Sequence, residues 1–173
     1  MATSPTGREI RYDTELLIVS KTDRFGRITY ANRAFEQIAG YTHEELIGAP
    51  HSLLRHPDMP RCVFKFLWDT ISSGEEIFAY VKNMAKNGDH YWVLAHVTPT
   101  FDSRGEIIGY HSNRRCPERI AVERAEGLYA TLLTVEAGAS SKPDAVVRSL
   151  RALQDTLSTA GKAYDELVFS LDR

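Results

Sequence analysis

The segment His51-Ser52-Leu53-Leu54-Arg55-His56-Pro57-Asp58-Met59-Pro60 is the densest polar constellation in the chain. Arg55 and His56, side by side, can receive an anionic group such as a diphosphate, because a guanidinium makes paired, charge-assisted hydrogen bonds to phosphate. A second account needs no ligand: a solvated loop in which Asp58 caps a helix opening near Pro60. Asn32 and Asn83 carry amides suited to the edge of a heterocycle, and equally suited to helix capping and strand ends. Trp68 and Trp92 can wall a flat ring system or fill a core.

Reaction machinery is harder to find. The chain has no GxSxG, no P-loop and no GxGxxG. The histidines lack metal-ligand spacing: His51 and His56 sit in a Pro-rich stretch, and His90 and His96 alternate onto one strand face. Glu75 and Glu76, as neighbours on a strand, point to opposite faces and form no carboxylate pair. This composition of groups reads as binding without catalysis and without a metal.

The elements that must position these groups fall into two regions. Glu15 to Ser20 and Arg27 to Tyr30 read as strands around the turn Asp23-Arg24-Phe25-Gly26. Asn32 is placed to cap a helix from Arg33 to Ala39, which Gly40 stops. Thr42 and Glu45 have capping-box spacing for a second short helix. Pro60 opens a longer helix to about Ser73, with Val63, Phe64, Leu67 and Ile71 on its apolar face. Glu75 to Lys82, His90 to Thr98 and Ile107 to Asn113 read as three further strands, the first two joined at Asn87-Gly88. Two strands, helices, then three strands make an α+β fold, one antiparallel sheet with helices on one face.

From Glu118 onward the period becomes helical. Ala121, Ala125, Leu128, Leu132 and Val135 form one seam, and Val146, Leu150, Leu153, Leu157, Ala160, Tyr164, Leu167 and Leu171 form another. The spacing predicts a C-terminal hairpin of two helices, the second running through Gly161. Such stripes must be covered by each other, by the sheet or by a second chain. A four-helix homodimer is the expected solution.

Bulk properties narrow the class. The 173 residues are 43% hydrophobic and 25% charged, and 23 acidic residues against 21 basic ones leave no electrostatic field for nucleic acid. Cys62 and Cys116 lack the arrangement of a disulfide scaffold and read as free thiols. No signal peptide and no run of spanning length is evident, so a cytoplasmic protein without membrane contact is expected.

The run Asn32-Arg33-Ala34-Phe35, with Ala39-Gly40-Tyr41 and Glu44-Glu45-Leu46-Ile47-Gly48, resembles a PAS domain. Arg55-His56-Pro57-Asp58-Met59-Pro60, Lys82-Asn83, Lys86-Asn87-Gly88-Asp89-His90-Tyr91-Trp92-Val93 and Gly109-Tyr110 resemble, more narrowly, the PAS domains of bacterial aerotaxis receptors. The resemblance covers about residues 10 to 117, leaving 118–173 as an output and dimerisation segment. It implies a five-stranded PAS sheet and non-covalent FAD serving as a sensor of redox state or oxygen, with a chemoreceptor or other signalling protein as partner. The matching flavin-cleft positions are Asn32, His51, Arg55, His56, Asp58, Trp68 and Asn83. The chain departs from the family at Ile77, where related receptors place a tryptophan. A haem-binding sensor and a cofactor-free dimerisation module are the alternatives. Cys62 does not match the cysteine that forms a photoadduct in light-sensing flavin PAS domains.

Overall fold

Alternation along each strand sorts side chains onto two sheet faces, and every later feature depends on which face a residue occupies. The computed structural model describes residues 3–173. Strands β1 (Ile18–Asp23), β2 (Ile28–Ala31), β3 (Ile77–Met84), β4 (His90–Phe101) and β5 (Ile107–Arg115) form one antiparallel sheet, in the order β2-β1-β5-β4-β3. Helices α1 (Arg33–Ala39), α2 (His43–Leu46) and α3 (Arg61–Ser72) follow β2, with a 3-10 turn at His51–Leu54 between α2 and α3. The C-terminal part forms α4 (Arg119–Ala137), α5 (Lys142–Ala160) and α6 (Tyr164–Ser170).

The local signals act as their chemistry requires. The Asn32 side chain accepts from Phe35 N at 3.1 Å, and Gly40 ends α1 at φ 72°. Thr42 and Glu45 close a reciprocal capping box. The strands are displaced from expectation: β1 starts at Ile18 rather than Glu15, β3 runs to Met84, and β5 continues to Arg115. Register with neighbouring strands, which local pattern does not encode, sets those ends.

Segment 48–59 lies across the sheet from edge to edge. At the β2 edge Gly48 N donates to Ile28 O, Ile28 N to Ala49 O and His51 N to Gly26 O, at 2.7, 2.9 and 2.9 Å. At the β3 edge Arg55 bridges Asn83 through the backbone, and Lys82 N donates to the Met59 sulfur at 3.3 Å. Unpaired strand edges are thereby covered. The N-terminal residues add a strap along the β3–β4 turn: Ile10 N donates to His90 O, and Arg8 pairs with Asp89 at 2.9 Å.

The tail departs most from expectation. It has three helices, because Gly161 takes a left-handed conformation (φ 61°) and caps α5, so the second helix does not run through. Much of its seam is covered within the chain: Ala121, Ala125, Leu132 and Leu153 are buried, and Leu128, Leu150, Tyr164 and Leu171 pack against the core. Helix α4 packs on the sheet face that carries Trp92, whose ring stacks on Tyr129, and the Tyr129 hydroxyl donates to Tyr80 O on the β3 edge at 2.6 Å. Helices therefore cover both faces. Asp58 does not cap α3; Glu136 of α4 accepts from Cys62 N at 3.2 Å and from the Ser149 hydroxyl at 2.9 Å.

Gly161 gives a test with opposite signs. In a helix interior Gly161→Ala would stabilise by about 1 kcal/mol. At a left-handed position it should cost about 1 kcal/mol in denaturant unfolding, since an L side chain is strained there. A gain in stability would restore the continuous helix.

Candidate functional site

Segment 48–59 and α3 do not press flat on the sheet. They enclose a cavity of about 690 Å³ over the inner faces of β3, β4 and β5, within the size range of small-molecule sites. Val81, Val93, Ala95 and Val97 form its sheet wall, and Leu67, Trp68 and Ile71 of α3 form the opposite wall. The Trp68 ring meets Tyr110 edge-on at 5.5 Å. Gly26 lets the β1–β2 turn lie on that indole, since a Cβ there would come within 2.9 Å of it.

Arg114 is the dominant charge inside. It is 2% exposed and lines the cavity beside Ser20 and Ser112. Its guanidinium lies 4.4 Å over the Phe35 ring and donates to the Ser20 hydroxyl, while Nε and Nη1 are buried with no partner. Burial pushes its pKa down to about 10. His51 lines the same space with a buried, unpartnered Nε2. Burial, and secondarily Arg114, pushes His51 down to about 3, so it is neutral at pH 7. Among the described residues, no aspartate or glutamate lines the cavity, whereas Arg55, Arg61, Lys65 and Lys142 join Arg114 there.

Of the residues expected at a ligand, His51, Arg55, Trp68 and Asn83 line the cavity. Arg55 stacks its guanidinium 4.5 Å over Phe64. Asn32, His56 and Asp58 are placed elsewhere. The Asn32 carbonyl oxygen accepts from Val19 N and Phe35 N, and its amide nitrogen donates to Leu17 O, so its polar groups are spent on α1 and β1. His56 is buried against His90, ring centroids 5.6 Å apart, and its Nδ1 accepts from Asp58 N. Asp58 takes the Lys82 ammonium at 2.8 Å, and Lys82 also lies 3.7 Å from Glu126 of α4. Burial works against the Asp58 carboxylate, but Lys82 holds its pKa below the usual value. His56 and Asp58 thus brace segment 48–59 against β3, β4 and, through Lys82, α4, and are not among the cavity-lining residues.

Trp92 is a core residue on the other face, stacked on Tyr129. Ile77 is buried and is not among the cavity-lining residues. His96 stacks on Phe78 and pairs with Glu76 at 2.6 Å. No group of His, Cys, Asp and Glu fit to hold a metal occurs among the described residues. Cys62 and Cys116 are free, and neither lines the cavity. Sequence reasoning missed Arg114, although its inward parity with Tyr110 and Ser112 was available once β5 was extended past Asn113.

Five antiparallel strands in this order, closed over one face by short helices and one longer helix, are the architecture of a PAS domain. The chain belongs to the PAS fold family, whose model matches residues 28–114. It is similar to the aerotaxis receptor of Escherichia coli strain K12, 45% identical over 130 residues that cover 75% of this chain and 24% of that protein. It is also similar to the nitrogen fixation regulatory protein of Klebsiella pneumoniae, 31% identical over 97 residues, 56% of this chain and 20% of that one. The chain thus spans about a quarter or less of the length of these relatives. The dark structure of the blue-light photoreceptor Aureochrome1 LOV shares the fold at a TM-score of 0.55 and 24% identity, covering 69% of this chain and 86% of that one.

The buried histidine has a pH signature. His51 binds its proton near 6.5 when free and near 3 when folded, so the unfolded chain holds more protons between those values and acid favours unfolding. Lowering the pH from 7 to 5 should cost about 2 kcal/mol through this group. Burial shifts His56 and His90 in the same direction. Comparing denaturant unfolding at the two pH values, His51→Asn should reduce the acid loss by about that 2 kcal/mol. An unchanged acid loss would show that His51 is not held neutral.

Proposed function

We propose that the chain is an FAD-binding PAS sensor of redox state or oxygen, its sensor domain at 10–117 and its output segment at 118–173. The observation that carries this reading is Arg114, a buried cation facing a cavity with no carboxylate to answer it. A charge taken out of water without a partner is costly, and a ligand bearing acceptors removes that cost. A flavin ring carries carbonyl oxygens and ring nitrogens along one edge, and its flat body suits the apolar walls with Trp68 and Tyr110. The Arg55 guanidinium at the mouth suits a diphosphate. The resemblance to aerotaxis receptors points to the same cofactor.

When bound, the flavin supplies reversible electron uptake with a change of protonation at its ring. On the protein side Arg114 is a fixed donor at neutral pH, held by Phe35 and Ser20. Asn83 is the adjustable group, since turning its amide exchanges a donor for an acceptor. It sits on β3, whose backbone meets Arg55 on one side and whose Tyr80 carbonyl holds Tyr129 of α4. A rearranged Asn83 therefore biases how α4 rests on the sheet, as a shift between two populations. Cys62 and Cys116 do not line the cavity, so light-driven adduct formation is not part of this reading.

The partner is proposed to be a chemotaxis or other signal-transduction protein. A cytoplasmic setting is part of this proposal; among the described residues no helix is long and apolar enough to cross a membrane. A homodimer through the C-terminal helices belongs, in this reading, to an undocked tail, since the docked tail packs much of its seam against its own core.

The absorption spectrum tests the function. A band near about 450 nm that bleaches with dithionite is expected. A Soret band near about 400 nm would mean haem, and a colourless protein that fails to take up added FAD would end the proposal. Arg114→Met should weaken FAD binding about thirtyfold, from the loss of about 2 kcal/mol in charge-assisted hydrogen bonding. The same variant should leave the apoprotein at least as stable, because an uncompensated buried charge is removed. Arg55→Ala should lower flavin content without lowering Tm, whereas His56→Ala should lower Tm through the lost brace.

A further inference from the structure

Three cations without carboxylate partners converge on the cavity mouth from three parts of the chain. Arg55 comes from segment 48–59, Arg61 opens α3, and Lys142 opens α5. Lys65, also at the mouth, is paired with Asp69 at 2.5 Å. No tail carboxylate makes a salt bridge to these three cations, although the charge of Glu136 acts on Arg55 from a distance. Glu136 accepts from Cys62 N and the Ser149 hydroxyl, and Asp144 accepts from the Ser140 backbone and hydroxyl. Arg114, buried with its Nε and Nη1 unpartnered, lines the same cavity, so cations at the mouth and a cation inside face one space. Arg61 repels Arg55, and Glu136 offsets part of that repulsion.

Lys142, Pro143 and Val146 all line the cavity, yet they lie outside residues 28–114, the part matched to the family. We propose that the first turn of α5 is part of the ligand site, with Lys142 binding the phosphate groups of a flavin nucleotide together with Arg55 and Arg61. This rests on the flavin reading above and adds a second role to the tail. Linkage then makes the effect reciprocal: whatever factor Lys142 contributes to ligand affinity, the ligand returns to docking of the tail. Loss of the ligand removes the phosphates that tie Lys142 to Arg55 and Arg61, and so favours release of α5. The output segment thus reads occupancy directly, independently of any signal passing through the sheet.

Titrating the full-length apoprotein with FAD and with riboflavin, which has no phosphate, separates the mouth from the ring site. Lys142→Glu should weaken FAD by about tenfold or more and leave riboflavin within about twofold, with the difference shrinking in high salt. Lys162→Glu, an exposed change after α5, should alter neither. Amide exchange across 139–146 should slow on adding FAD or millimolar inorganic pyrophosphate, and not on adding riboflavin. Equal FAD affinity in Lys142→Glu and wild type would overturn the proposal and leave the flavin reading standing. Equal losses of FAD and riboflavin would overturn it too, by showing a structural effect. If no flavin binds but pyrophosphate slows exchange at 139–146, the flavin reading falls and the phosphate site at α5 stands. If neither has any effect, both fall.

Discussion

A guanidinium sealed from water with two of its nitrogens unanswered is the constraint on which the site depends. Arg114 lies over Phe35 and reaches only the Ser20 hydroxyl. The charge is desolvated, burial lowers its pKa, and one hydrogen bond with one ring contact offsets only part of that cost. Replacing such a group with an apolar residue usually improves stability, so its presence marks a place where stability yields to binding. Burial, with the same charge as a secondary cause, keeps His51 neutral. Two neighbouring polar groups are therefore held in defined protonation states at pH 7, facing apolar walls.

The aerotaxis-like motif has a different task. Arg-His-Pro-Asp-Met-Pro runs along the open edge of β3, where each residue type has a separate use. Arg55 is turned to the cavity mouth, His56 is buried on His90, Asp58 holds Lys82, and Met59 takes the Lys82 amide. Lys82 reaches Glu126 as well, and Tyr80 on the same strand holds Tyr129. One edge strand is thus shared by the cavity, the motif and α4. A disturbance at Asn83 has a short physical route to the tail, and the α3–α5 junction offers a second one at the mouth.

Much of the fold was legible because its determinants are local. Asn32 and Gly40 bound α1, Thr42 and Glu45 start α2, and Asn87-Gly88 turns β3 into β4, each by chemistry within a few residues. What was not legible depends on partners distant in sequence. His56 and Asp58 sit in the motif that attracted a ligand reading, yet Lys82 and His90 decide which way they face. Arg114 was hidden because β5 runs on past Asn113 in register with β1 and β4. The tail's apolar spacing required a cover without naming it. Its uninterrupted spacing also masked Gly161, whose backbone conformation breaks the helix where the pattern does not.

The central claim is that a ligand answers Arg114, and the most direct measurement is nitrogen-15 NMR of its Nε–H during titration of the apoprotein with FAD. The account predicts a resolved Arg114 Nε–H signal that shifts and exchanges more slowly with water as flavin binds, and no such signal in Arg114→Met. Flavin binding that leaves the Arg114 signal where it was would contradict it.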